Sequence, residues 1–357
     1  MAVPTGQASG AEPTAAAGGE YPRRGVVGGI EARRPNIPSR RAWALLTPVL
    51  AALAVVIGYP VVRAVYMSFQ KDPGLDESTG MFVSGGSAGF GNYTHWLFQQ
   101  CSSITGETVP CPPGTLGSQF WTSVVTTLGL SAVTVALEVV IGLGMALVMA
   151  RAFRGRALLR AAVLIPWAIP TAVTAKLWYF IFATDGIANK LLGTQILWTS
   201  DVWPARFAVI VADVWKTTPF VALLILAGLQ VIPDDVYEAA RMDGATAWQR
   251  FLHITLPLVK PALMVAILFR TMDALRMYDL PAILIGDNAA TRTISMLVVD
   301  QTREGFNSAS ALSTLTFLMI FLIAFVLVRF LGANAARTQE EQRKQSPSLR
   351  STGKAAR

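Results

Sequence analysis

Charged residues are scarce in this chain, and their scarcity limits the kind of protein it can be. Only 15% of the 357 residues are charged, whereas 53% are hydrophobic and the mean hydropathy is +0.47. Soluble domains are typically about 25% charged, so these proportions exclude an ordinary soluble fold. We therefore expect lipid, rather than water, to surround most of the chain.

Residue groups that build metal, nucleotide and catalytic sites are also missing. The two histidines, His95 and His253, lie far apart, and no cysteine or histidine cluster has the spacing of metal ligands. There is no GxxxxGK[ST] phosphate loop, and no nucleophile with a base, or pair of carboxylates, can be grouped into a catalytic pocket. The sequence therefore predicts no enzymatic activity, no metal site and no cofactor bound by this chain.

Long apolar runs make up nearly half of the sequence. Each has roughly the 20 apolar residues that a helix needs to cross a bilayer. The runs lie at about residues 42–69, 120–150, 159–183, 205–232, 258–285 and 309–331. They predict an all-α membrane protein with six transmembrane helices, and Pro166 and Pro170 predict a kink in the third.

Lysine and arginine are unevenly distributed between the two sides of the predicted membrane. Twenty lie in the N-terminal tail, around the turn between the second and third runs, from Arg241 to Lys260 and from Arg329 onward, whereas five lie in the other loops. Basic residues favour the cytoplasmic side, so both termini should be cytoplasmic. The net charge of +8 and the pI near 9.8 are then explained by the membrane surface, and no nucleic-acid partner is expected.

The tails and the first outer loop differ from the spans in composition. Residues 1–41 and 332–357 are polar and have no apolar core, which predicts disorder on either side of a membrane domain at 42–331. Residues 70–118 are rich in glycine and polar residues and should lie outside the cytoplasm. Cys101 and Cys111 in this loop can close a small disulfide in an oxidising compartment, with two free thiols as the alternative.

The cytoplasmic segment between the fourth and fifth runs has the signals of two short helices joined by a turn. Pro233 favours a helix start, and Gly244 is suited to a helix C-terminus. Thr246, followed three residues later by Gln249, has the form of a capping box. The first helix should therefore end near residue 243, and the second should run to Pro257.

This segment resembles the EAA loop of permease subunits in binding-protein-dependent ABC importers. The family pattern is EAA, two residues, DGA, five residues, F, two residues, I, two residues, P. The matching positions are Glu238, Ala239, Ala240, Asp243, Gly244, Ala245, Phe251, Ile254 and Pro257. The resemblance implies that they form a coupling helix and turn that a partner ATPase moves, whereas a plain turn between spans would need no such spacing. Residues 233–257 are called the EAA loop below.

Further stretches resemble carbohydrate permeases of the maltose and trehalose type within this family. They are Tyr59–Pro60, the GFGNY run Gly89–Tyr93, and LFRTMDALRMYDLPAIL in the fifth span. The chain departs from the LTxGGP run that often follows this span, since residues 284–288 read LIGDN. The outer gate is therefore expected to differ from that of many sugar permeases.

Ionisable and aromatic residues inside the spans are candidates for the translocation path, because charge at membrane depth is costly and often functional. The path candidates are Asp273, Arg276, Tyr278, Trp215 and Phe220, and the last two could form a stacking platform for a sugar. The alternative is structural pairing of Arg270 with Asp273 and of Arg276 with Asp279.

Two other intramembrane groups are expected to be structural. Asp213 and Lys216, three residues apart in the fourth span, should pair. Glu138 is isolated in the second span and should accept a hydrogen bond from another helix of this chain or of a partner permease.

The resemblance implies the type I ABC importer permease fold and a larger assembly in a bacterial cytoplasmic membrane. That assembly would contain a second homologous permease, two ATPase subunits that bind ATP and Mg²⁺, and an extracytoplasmic sugar-binding protein, expected to be a lipoprotein. The implied substrate is a disaccharide such as trehalose or maltose. The alternatives are an ABC importer for a non-sugar solute and a secondary transporter with a proton relay.

Overall fold

The computed structural model describes residues 39–75, 82–83, 85–102 and 107–332. The predicted tails lie almost entirely outside these ranges. Within the described residues, five helical segments are long and apolar enough to cross a membrane, and a bent pair of helices is a sixth candidate. The five are Trp43–Met67, Leu116–Ala150, Val202–Leu229, Ala247–Ala274 and Phe306–Phe330. The chain is thus a mostly helical, multi-pass membrane protein, as the apolar runs predicted.

The chain divides into two units, Met1–Ile57 and Gly58–Arg357. The described part of the first unit is helix α1 (Ser39–Leu53) and the start of a π-helical turn, Ala54–Gly58. The second unit begins with helix α2 (Tyr59–Met67), which has a proline in its first turn. A proline inside a membrane helix is tolerated where a local π-helical turn adjusts the hydrogen-bond pattern, as Ala54–Gly58 does here.

The predicted outer loop, whose residues 70–110 are called the outer segment below, contains short strands around one helix. Strand β1 (Gln70–Lys71) pairs with β4 (Gly86–Ser87), β2 (Gly74–Leu75) with β3 (Phe82–Val83), and β5 (Gln100–Ser102) with β6 (Thr108–Pro110), all antiparallel. The all-α prediction therefore holds for the spans but not for this segment. Short strands are possible here because water, unlike lipid, can hydrate their edges.

Helix α3 (Gly91–Phe98) anchors the outer segment to the last span. Trp96 is completely buried, and its indole N–H donates to the carbonyl of Ser308 at 3.2 Å. The carboxylate of Asp72 accepts hydrogen bonds from the backbone N–H groups of Asn307 and Ser308, which begin that span. The loop is thus ordered against the bundle at two points.

Cys101 and Cys111 form a disulfide, so the free-thiol alternative is wrong. The bond links β5 to the residue that follows β6 and therefore closes one hairpin. The N–H of Cys111 also donates to the carbonyl of Gln99 at 2.8 Å. The disulfide and the strand hydrogen bonds hold the same hairpin.

Replacing both cysteines with serine is expected to destabilise this hairpin by roughly 2–3 kcal/mol. The physical reason is the entropy that the open loop regains when a cross-link over a sequence separation of 10 is removed. Limited proteolysis of the purified chain measures the effect, with cleavage between residues 99 and 112 rising in the variant. Equal cleavage rates in the variant and the unaltered chain would contradict it.

Three long helices form the centre of the second unit. Helix α4 (Phe120–Ala150) packs along α8 (Val202–Leu229), and both contact α11 (Leu256–Ala274). Gly228 marks a close approach of α8 to α11, because a Cβ at this position would collide with the Cβ of Ala262. Small residues allow such contact between membrane helices, where tight packing is a main source of attraction.

The third predicted span is a pair of helices rather than one. Helix α5 (Arg156–Ala168) meets the segment Thr171–Leu192, which contains α6 (Thr171–Phe182) and α7 (Ile187–Leu192), at an angle of 90°. Pro170 cannot donate a helical hydrogen bond and pushes Ile169 into an extended conformation. The predicted kink is therefore a full break.

The fifth span begins and ends earlier than predicted. After α9 (Asp234–Met242), one continuous helical run comprises α10 (Ala247–Arg250), a π-helical turn (Phe251–Thr255) and α11. Pro257 does not end the second helix of the EAA loop, because it lies in the first turn of α11. The run ends at Ala274, about ten residues short of the predicted boundary.

Three more helices complete the described chain. They are α12 (Asp279–Leu284), α13 (Ile294–Glu304) and α14 (Phe306–Leu327), the last extended by a π-helical turn at Val328–Gly332. Helix α13 lies in a segment predicted as loop. Its capping residue Thr293 accepts from the N–H of Met296.

Candidate functional site

The first helix of the EAA loop, α9, is almost wholly exposed. Glu238, Ala239 and Met242 are exposed, and none of its residues is fully buried. The hydroxyl of half-buried Tyr237 hydrogen-bonds the hydroxyl of Thr255 at 3.1 Å. This bond attaches α9 to the π-helical turn that precedes α11. The exposed side of α9 remains free to meet another molecule.

The turn after α9 fixes the direction of the second helix. Gly244 has a φ of +76°, which residues with a side chain adopt only with strain. The N–H of Ala245 donates to the carbonyl of Ala240, and the N–H of Gly244 donates to the carbonyl of Arg241, both at 3.0 Å. These two bonds form a Schellman motif with Asp243 as the C-cap, so the predicted end of the first helix is confirmed.

The predicted capping box is also present. The N–H of Thr246 donates to Oε1 of Gln249 at 2.8 Å, and the N–H of Gln249 donates to Oγ1 of Thr246 at 3.3 Å.

In the same stretch, Trp248 stacks on half-buried Phe251 with ring centroids 5.5 Å apart. Ile254 is half-buried, and Trp248 remains 66% exposed. The EAA loop thus has a turn held by local hydrogen bonds, and it exposes Trp248 and Met242 beside charged side chains.

A cluster of ionisable side chains lies inside the helical core. Arg270 of α11, only 2% exposed, forms ion pairs with Glu138 of α4 and Asp213 of α8. It also pairs with Asp273 one turn further along α11, at 2.9 Å. The hydroxyl of Thr217 donates to the second oxygen of Glu138 at 2.6 Å. Arg270, Glu138, Asp213 and Asp273 are called the arginine cluster below.

The arginine cluster joins three spans and exposes one of its members. The side chain of Glu138 is fully buried and that of Asp213 is 7% exposed, whereas that of Asp273 is 73% exposed. Buried charges are tolerated at membrane depth when they are paired, as these two carboxylates are. Asp273 is therefore the member of the cluster that another molecule can reach, while Arg270 holds one of its oxygens.

The expected pair of Asp213 and Lys216 is wrong. Asp213 pairs with Arg270, and the ammonium group of Lys216 donates to the carbonyl of Ile169 at 2.8 Å. That carbonyl lies at the break between α5 and α6, where helical hydrogen bonds are missing. Lys216 therefore donates to a carbonyl that has no helical donor, rather than to Asp213 three residues before it.

The expected pair of Arg276 and Asp279 is not among the ion pairs of the described residues. The helix ends at Ala274, so these two residues no longer lie one turn apart on a helical face. Arg276 is exposed and Tyr278 is half-buried. Of the two predicted pairs on this stretch, only that of Arg270 with Asp273 is confirmed.

The two aromatic path candidates of α8 do not form one platform. Five residues of helix separate Trp215 from Phe220 by about 140° around the axis. Trp215 packs edge-on against Trp178 at 5.8 Å between centroids, and Phe220 stacks on Trp167 at 5.9 Å. Each candidate therefore packs against an aromatic residue of the broken third span, Trp215 against one on α6 and Phe220 against one on α5.

The partners of Arg270 on other helices are the main feature that the sequence pattern missed. The expectation that Glu138 accepts a hydrogen bond from another helix is confirmed, and the pattern missed only that the donor is the charged Arg270 of α11. The available signal was one isolated acid in each of two apolar spans and one arginine in a third. Opposite charges in separate spans of one bundle have few other partners.

Comparison with known proteins assigns the family. The sequence profile described as "Binding-protein-dependent transport system inner membrane component" matches residues 138–339. The trehalose transport system permease protein SugA of Mycobacterium tuberculosis is 37% identical over 300 residues, 83% of this chain and 90% of that protein. The trehalose/maltose transport system permease protein MalF of Thermococcus litoralis is 43% identical over 219 residues, 59% of this chain and 74% of that protein.

A third relative and a solved structure extend the comparison. The sulfoquinovosyl glycerol transport system permease protein SmoG of Agrobacterium fabrum is 32% identical and covers 80% of this chain and 89% of that protein. A chain from the crystal structure of a bacterial ABC transporter involved in alginate import has a TM-score of 0.64 at 19% identity, covering 83% of this chain and 96% of that chain. The chain has the type I permease fold and belongs to the family of binding-protein-dependent transport system inner membrane components.

Proposed function

We propose that this chain is one permease subunit of an ATP-driven importer for a disaccharide of the trehalose or maltose type. The observation that carries the proposal is the 37% identity to a trehalose permease over 83% of the chain. The similarity to a trehalose/maltose permease supports the same substrate class. The chain itself carries no catalytic residues in this proposal, and a partner ATPase binds ATP and Mg²⁺.

The EAA loop couples this permease to the ATPase. Glu238 offers an exposed carboxylate to a basic partner residue, and exposed Met242 and Trp248 supply apolar contact area around it. Because Ala247–Ala274 is one continuous helical run, a movement of the docked loop passes directly into α11. The Schellman turn at Gly244 keeps α9 at a fixed angle to that run.

Asp273 contributes a hydrogen-bond acceptor to the translocation path. Its carboxylate is largely exposed, and its bond to Arg270 orients it towards sugar hydroxyl groups. Arg276 and Tyr278 follow it on the same stretch, and the pairs Trp215–Trp178 and Phe220–Trp167 provide aromatic edges and faces. These residues form half of the path, and a second homologous permease supplies the other half.

The complete importer contains two permeases, two ATPases and an extracytoplasmic sugar-binding lipoprotein in a bacterial cytoplasmic membrane. Both termini and the EAA loop face the cytoplasm, which the excess of basic residues on that side supports. The outer segment with its disulfide faces the binding protein. Solute crosses by alternating access as the ATPases close and open.

Stimulation of ATP hydrolysis by loaded binding protein tests the proposal. The complex is purified with its co-encoded subunits, reconstituted in liposomes, and mixed with binding protein carrying trehalose, maltose or no sugar. We expect a several-fold rise in ATP hydrolysis with one disaccharide and no rise with unloaded binding protein. No stimulation by any sugar would remove the carbohydrate assignment. Uptake that needs a proton gradient and no ATP would favour a secondary transporter.

A further inference from the structure

The turn between α4 and α5 carries a concentration of positive charge that the proposed transport steps do not use. Arg151, Arg154 and Arg156 are all exposed, and no acidic residue occurs in the sequence between Glu138 and Asp185. None of these three arginines takes part in the ion pairs found among the described residues. Their charge is therefore available to a partner outside the chain.

A fourth arginine nearby has a different, structural role. Arg160 is half-buried, and its Nη2 donates to the carbonyl of Met149 at 2.7 Å. That carbonyl belongs to the last turn of α4, which has no intrahelical donor for it. Arg160 thus holds the turn in place, and the other three arginines are left at its surface.

The connectivity of the turn sets its depth in the membrane. Residues 151–155 join the end of α4 directly to the start of α5, and both helices belong to membrane-crossing segments. So short a connection keeps the arginines close to the ends of both helices, and we therefore place the turn near the lipid headgroups. Apolar side chains flank the arginines, because Phe153 is 43% exposed and Leu158 is 76% exposed. Basic and apolar groups side by side suit a surface that contacts headgroups and acyl chains together.

We propose that the turn at residues 151–158 binds anionic phospholipid at the cytoplasmic surface of the membrane. The guanidinium groups of Arg151, Arg154 and Arg156 pair with headgroup phosphates, and Phe153 and Leu158 contact the adjoining acyl chains. Guanidinium matches phosphate geometry in bidentate pairs. A basic residue at an anionic membrane surface typically strengthens binding by about fivefold, so three give a preference on the order of 100-fold.

Native mass spectrometry of the purified full-length chain tests this site. The chain in neutral detergent is titrated with phosphatidylglycerol or with phosphatidylcholine, and the lipid adducts are counted. We expect preferential retention of phosphatidylglycerol by the unaltered chain. Each single variant, R151Q, R154Q or R156Q, should lower that preference by about fivefold, and the triple variant should nearly abolish it. Each single variant keeps two arginines in the turn, so the positive charge that orients this turn towards the cytoplasm is largely preserved.

A charge-matched control separates the site from general electrostatics. The variant K71Q/K190Q/R303Q removes the same number of positive charges from other exposed positions and should keep the lipid preference. Equal loss in both triple variants would overturn the site. An unchanged lipid preference in R151Q/R154Q/R156Q would also overturn the site. If that variant then lost binding to the ATPase, the turn would be identified as a protein interface instead.

Discussion

Arg270→Ala should destabilise the helical core by about 3–5 kcal/mol, because it leaves two buried carboxylates without their counter-charge. Glu138 would keep the hydroxyl of Thr217, and Asp213 would lose its ion-pair partner on α11. Stabilities of single domains are only about 5–15 kcal/mol, so a loss of this size should lower both the yield and the unfolding temperature of the purified chain. Thermal unfolding in detergent measures it.

Arg276→Ala is the matched control for this substitution. Arg276 lies six residues from Arg270, is exposed, and forms none of the ion pairs found among the described residues. Its replacement should change the unfolding temperature little. An equal effect of both substitutions would show that the arginine cluster does not stabilise the core.

Removing the buried charges together provides a second control. Replacing a whole buried ion-pair group by hydrophobic residues of similar volume is often neutral or stabilising. The variant Glu138→Leu, Asp213→Val, Arg270→Met should therefore recover much of the stability that Arg270→Ala alone loses. If the triple variant is no more stable than Arg270→Ala, the loss comes from packing around the arginine stem rather than from unpaired charge.

Gly244→Trp should reduce ATP-driven uptake by roughly 10-fold to 100-fold while leaving membrane insertion intact. The φ of +76° strains any residue with a side chain, at a cost on the order of 1–3 kcal/mol. Relief of that strain would open the Schellman turn and move α9 away from its partner surface. No atom lies within 4 Å of a Cβ built at Gly244, so the side chain itself has space and the core is not disturbed.

Gly244→Asn is the control that separates backbone conformation from bulk. Asparagine adopts the left-handed conformation more readily than other residues and should keep most of the uptake. Uptake and ATP hydrolysis are measured together in liposomes, and Gly244→Trp should hydrolyse ATP without matching transport. Full uptake by the tryptophan variant would contradict a coupling role for this turn.

Local structure in the EAA loop could be predicted from sequence because its signals are local. The Schellman turn needs a glycine at one position, and the capping box needs Thr246 and Gln249 three residues apart. Both were present where the pattern indicated. The same reasoning failed at Pro257, because the π-helical turn Phe251–Thr255 before it lets the helical run continue through the proline.

The ends and breaks of the spans were predicted less well. Hydropathy reports which residues tolerate lipid, and apolar residues continue past both the break at Pro170 and the end of α11 at Ala274. Neighbouring helices supply the groups that make such breaks possible. Lys216, for example, donates to the carbonyl that the break at Ile169 leaves without a helical partner.

The sequence by itself determined the number of apolar runs, the asymmetry of basic charge and the identity of the EAA loop. These depend on composition and on spacings of a few residues. Only the tertiary structure decided which charges meet, because Glu138, Asp213 and Arg270 lie on three helices that are distant in sequence. In lipid a buried charge must find a partner wherever the bundle brings one within reach, and sequence separation places no limit on that choice.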